Sequence, residues 1–140
     1  MRESDLWKKL KDGMGDRWVA DRIENDVGVG TPDVAYSTGG INGWIELKYI
    51  RSYPQRYTTP ILIPHLTSVQ CSWLRRHGEA GGHCFLLIRI QNDFYLFSWR
   101  AAKLVKDGLT REGFKTNAVQ WWNGTINWVT LASILGNPEE

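Results

Sequence analysis

A chain of 140 residues has room for one hydrophobic core and little more, and 42% hydrophobic against 23% charged residues is the balance of a folded domain, not a disordered one. A net charge of +2 excludes binding of nucleic acid by bulk charge alone, and no apolar run approaches the ~18 residues that a membrane-spanning helix requires. The opening MRESDLWKKLKDG lacks the apolar segment of a secretory signal, and Cys71 and Cys84 are too few for a disulfide framework, so the expectation is an intracellular, cytoplasmic protein with free thiols.

Leu6, Trp7 and Leu10 make an apolar stripe over residues 2–12, which predicts a first helix closed by Gly13. Residues 17–25 alternate and favour a strand, 27–32 form a Gly/Pro loop, and 33–37 and 44–50 read as two strands joined by a turn over 38–43. Residues 51–65 hold three prolines and no sustained period, which predicts a long excursion. A helix over 66–82 follows, capped by Thr67 or Ser68, with Val69, Trp73 and Leu74 buried and Gly78 as its stop. HCFLLIRI at 83–90 is a near-continuous apolar run, hence a central strand, and 94–99 is another. A short helix over 100–108, an irregular stretch over 109–127 and a last helix or strand over 128–135 complete the chain.

The unusual feature is charge inside the two-strand segment. Asp33, Glu46 and Lys48 stand among Val, Ile, Leu and Trp, where charges belong only if paired or bound. Glu46 and Lys48, two apart on a strand, share a face, with Trp44 on it too, while Ile45, Leu47 and Tyr49 face the other way. Asp33 opens the partner strand, so its carboxylate can approach that of Glu46. Two hard oxygen ligands beside an ammonium group suit Mg²⁺ or Mn²⁺ and a phosphate. Charge is also uneven: residues 1–48 hold seven Lys/Arg against nine Asp/Glu, and residues 49–140 ten against six. An acidic half with the candidate site and a basic half beyond it suit a metal centre beside a phosphate-binding surface.

TPD at 31–33 followed by ELK at 46–48 resembles the signature of the PD-(D/E)XK nucleases, and GTPD…WIELK is similar to the VRR-NUC branch and to small Holliday-junction-resolving nucleases. The likeness runs over about residues 1–99, including the Gln-containing helix and the strand after it. It implies an α/β, restriction-endonuclease-like single domain over 1–140, a mixed central sheet flanked by helices in the order α-β-β-β-α-β-β, with 100–140 as an extension. It implies divalent-metal-dependent hydrolysis of DNA, structure-specific for branched, flap or junction substrates, by a chain that acts as a homodimer. Asp33, Glu46 and the backbone carbonyl of Leu47 resemble the metal ligands, Lys48 the catalytic lysine and Gln70 the supporting helix glutamine. Glu3 is the expected third acid, with Glu24 its competitor.

Arg51, Tyr53, Arg56 and Tyr57 interleave cations and aromatics directly after Lys48, which suits a loop that grips a phosphate and stacks on a base. Arg75 and Arg76 suit the helix dipole and also a DNA contact. His65, Cys71, His77, His83 and Cys84 have no zinc-site spacing, and most of the eight Trp, Trp121 and Trp122 included, read as packing. RNA remains open as a substrate, and the rival class is a catalytically silent nuclease fold that binds nucleic acid or protein.

Overall fold

The computed structural model describes residues 3–23 and 29–137. Leu6, Leu10 and Met14, one helical turn apart, are fully buried on one face of helix α1 (Glu3–Met14). The chain then passes through a 3₁₀ turn into β1 (Val19–Arg22), β2 (Val34–Thr38) and β3 (Ile41–Ile50). The β2–β3 turn is tighter than expected: Thr38 pairs with Ile41, leaving only Gly39 and Gly40, both at positive φ (59° and 83°). Two residues at positive φ match the right-handed twist of a hairpin, and glycine adopts them without strain.

After the excursion come α2 (Ser68–Glu79), β4 (His83–Ile90), β5 (Asp93–Ser98), α3 (Ala102–Asp107), α4 (Arg111–Asn117), β6 (Gln120–Asn123) and α5 (Trp128–Gly136). The six strands lie in the order β1-β2-β3-β4-β5-β6, antiparallel except for the β3–β4 pair. That parallel pair requires a crossover, which residues 51–67 and α2 supply. α1 and α5 bury Val34, Ile45, Leu47, Leu87 and Leu96 on one face of the sheet. Leu86, Ile88, Tyr95 and Phe97 lie on the other, under α2, α3 and α4. β4 is buried on both faces, which is why its sequence is apolar without alternation.

Several expectations change. Residues 100–137 supply an edge strand and three helices, and α4 and β6 replace the irregular stretch predicted for 109–127. Val69 is exposed and Cys71 takes its place in the core. Gly13 and Gly78 do not end their helices. Each lies inside one, and a Cβ there would collide with a tryptophan ring, Trp128 over Gly13 and Trp99 over Gly78. These glycines let an indole lie directly on helix backbone. Gly13→Ala and Gly78→Ala should each lower stability by about 1–3 kcal/mol by overpacking, despite alanine's better helix propensity. Thermal melts of the two variants check this, and a rise in melting temperature would refute the seats.

Candidate active site

The sheet brings Asp33, Glu46 and Lys48 together at the C-terminal end of β3. Val34 pairs with Ile45, so Asp33, one residue earlier, stands across from Glu46. The Asp33 carboxylate is held against β3, with Oδ2 accepting the Leu47 backbone N–H at 2.8 Å. The Asp33 carbonyl accepts the Ile23 N–H at 2.7 Å, tying this corner to the end of β1.

Glu46 and Lys48 are 2% and 3% exposed, a depth at which charge requires a partner. Lys48 Nζ lies 3.3 Å from Glu46 Oε2 and donates to the His65 carbonyl at 2.8 Å. His65 presents that carbonyl from a left-handed conformation (φ 67°), uncommon for a residue other than glycine. Glu46 Oε1 is buried with no hydrogen-bond partner. Burial, and then the negative charge of Asp33, push the Glu46 carboxyl up to about 8, with Lys48 opposing. The site is therefore short of positive charge.

Glu3 opens α1, half-buried, and burial raises its pKa, with the Lys48 cation opposing and the Asp33 anion adding to the rise. It thus lies within electrostatic reach of both residues. Glu24 lies outside the described residues. Among those described, no group of three His, Cys, Asp or Glu is placed to hold a metal ion; Asp33 and Glu46 face each other across the β2–β3 pair, and the Asp33 charge acts on Glu46. An unpartnered buried oxygen on one of two adjoining carboxylates fits a hard divalent cation, which takes one or two carboxylates and completes its shell with water and phosphate.

Gln70 acts locally, at the start of α2. Its Oε1 accepts the Thr67 N–H at 3.0 Å while Thr67 Oγ1 accepts its own N–H at 3.1 Å, which makes a capping box. Trp44 packs edge-on against Trp73, 5.2 Å between centroids. Arg75 pairs with Glu79 on the exposed side of α2, and Arg76 is exposed. Arg51 and Arg56 are exposed on the excursion. Tyr53 is no free stacking platform, because its hydroxyl bonds Asp93 and, at 2.6 Å, the Tyr95 hydroxyl, and Arg111 lies 3.8 Å over its ring. Tyr57 is exposed and donates to Glu112 at 2.8 Å. Sequence reasoning missed Arg111 and Asp93, and no local signal marks them, since their partners come from the distant excursion.

No protein-family model matches the sequence, and no curated protein matches it. Among solved structures the chain is similar to Hjc, a Holliday junction resolvase from the archaeal hyperthermophile Archaeoglobus fulgidus, with a TM-score of 0.56, 15% identity, and coverage of 83% of this chain and 91% of that one. At that identity the likeness is one of fold. The chain has the resolvase-like, restriction-endonuclease-like α/β fold: a mixed six-stranded sheet with helices on both faces.

Proposed function

We propose that this chain is a divalent-metal-dependent endonuclease that cleaves phosphodiester bonds in branched, flap or junction DNA. The observation that carries the reading is the buried Glu46 carboxyl, short of positive charge and facing the half-buried Asp33, with the Lys48 ammonium 3.3 Å away. Asp33, Glu46 and the Leu47 carbonyl would hold Mg²⁺ or Mn²⁺, and Glu3 would act on its waters. When bound, such an ion polarises the phosphodiester and lowers the pKa of an attacking water. Glu46 and the His65 carbonyl occupy two of the three Lys48 N–H directions. A remaining ammonium N–H would hold an attacking water or a phosphate oxygen as charge builds in the transition state. A four-way junction presents two equivalent strands, so a homodimer is the assembly that offers both a site.

The test is a panel of four-way-junction, flap, linear and single-stranded DNA, with matching RNA, incubated with Mg²⁺ or Mn²⁺. Branched DNA should be nicked with either metal and left intact in EDTA. Asp33→Asn should lower the rate by about a thousandfold or more, because metal-dependent stabilisation contributes several kcal/mol. Tight binding without cleavage of any substrate would favour the silent module, and cleavage of RNA alone would reassign the substrate.

A further inference from the structure

Among the described residues, two buried side-chain polar atoms have no hydrogen-bond partner: Glu46 Oε1 and Arg111 Nε. Such atoms are uncommon in folded proteins and call for an explanation. The first belongs to the site above. The second belongs to a residue that the catalytic reading does not use.

Strand register relates the two. Lys48 pairs with Ile88 and Ile88 with Tyr95, so Lys48 and Tyr95 stand in one row across the sheet. Strands lie about 4.8 Å apart, which puts Tyr95 about 10 Å from Lys48. The Tyr53 hydroxyl rests on that of Tyr95 and its ring carries the Arg111 guanidinium. Arg111, Arg56, Tyr57 and Thr59 line a cleft of about 80 Å³ there.

Arg111 is only partly satisfied: its guanidinium reaches the Tyr95 hydroxyl, while its Nε has no partner. Its contact with Asp93 is 3.7 Å, too long for a hydrogen bond, and Asp93 is already taken by Tyr53 and by the Asn123 amide at 2.6 Å. Glu112, next to Arg111 on α4, accepts from Tyr57. Arg51 and Arg56 have no acidic partner among the described residues. The guanidinium over the Tyr53 ring has N–H groups beyond those that face Tyr95 and Asp93, and a phosphodiester oxygen is an acceptor of matching charge.

We propose that Arg111, with Arg56 across the cleft, receives a backbone phosphate of the strand that enters the Asp33–Glu46–Lys48 site. The identity of that strand rests on the nuclease reading; the anion site itself does not. It gives the C-terminal part of the chain a share in the substrate surface.

The experiment measures binding of a fluorescein-labelled flap DNA in EDTA, where no cleavage occurs, by anisotropy across a salt series. Arg111→Gln and Arg56→Gln should each weaken binding about tenfold and lower the salt slope by about one. Arg111→Lys should recover part of the affinity. Replacing single phosphates by neutral methylphosphonates should find one position whose loss weakens the wild type but not Arg111→Gln. Arg111 also packs on Tyr53, so melting temperatures accompany each variant, and the exposed Arg56 provides an arm free of that packing. Unchanged affinity and slope in Arg56→Gln and in a folded Arg111→Gln overturn the proposal. A wild type that cleaves, with both variants binding as it does, removes the phosphate site and leaves the nuclease. A wild type that never cleaves, with both variants weakened, removes the nuclease and leaves the site.

Discussion

Glu46→Gln should give a protein that no longer cleaves DNA yet melts higher than the wild type when both are metal-free at pH 8. The Glu46 carboxyl is 2% exposed, faces Asp33, and leaves Oε1 without a donor. Its pKa stands at about 8 in the folded chain against an ordinary value of 4.5, with burial the largest cause and the Asp33 charge next. Between those values the native state holds a proton that the unfolded chain has released. The stabilising contribution of this group is therefore complete below about pH 4.5 and is lost as pH rises through about 8.

Glutamine has the shape of the protonated acid and does not titrate. Wild type and variant should be nearly equal at pH 5 and diverge towards pH 8, where the gain is on the order of 3 kcal/mol. In a domain of this size that is roughly 5–12 °C in melting temperature. Lys48 keeps the His65 carbonyl and gains the amide oxygen as acceptor. Adding Mg²⁺ at pH 8 should raise the melting temperature of the wild type and move the variant much less, because the ion binds the ionised carboxylate. A variant that melts below the wild type at every pH would mean that Glu46 is well solvated as an anion, and the cation deficit would not exist.

Why this site was legible in the sequence, while much around it was not, comes down to range. Glu46 and Lys48 share a face because strand side chains alternate, and Asp33 meets them because a hairpin fixes register; both rules are local. Gly13 and Gly78 followed a local rule to the wrong result, since a glycine after an apolar stripe reads as a stop. The tryptophans that require those glycines arrive from remote segments. α4 has Phe114 as its one buried residue and β6 has four residues, so neither carries enough periodicity to register. The Tyr53–Asp93–Arg111 assembly joins three segments with no shared pattern. Tyr53 reads in the sequence as a base-stacking residue of the excursion, and nothing local singles out Asp93 or Arg111 until the fold places the three side by side.

Lys48→Ala should abolish cleavage, and it should also cost the metal-free protein so much stability that activity alone cannot be interpreted. Lys48 is the cation paired with Glu46, and both are buried. Removing the Lys48 side chain empties a buried stem, which typically costs about 2–5 kcal/mol as a cavity. It also takes away the cation that opposes the rise of the Glu46 pKa, so Glu46 answers by holding its proton. Domains of this kind have about 5–15 kcal/mol in total. Lys48→Met keeps most of the stem volume and is the better probe. With the ammonium gone, Glu46 has no paired cation among the described residues, so Mg²⁺ or Mn²⁺ should raise the melting temperature of Lys48→Met by more than it raises that of the wild type. Cleavage by the metal-loaded, folded variant should nevertheless stay about a hundredfold or more below wild type, the usual effect of removing one transition-state donor. Greater metal stabilisation together with lost turnover separates a residue that acts on the reacting phosphate from one that only balances charge. If Lys48→Met, shown folded by its melt, cleaves within a few-fold of wild type, then Lys48 is a structural counter-ion and the chemistry belongs to the carboxylates.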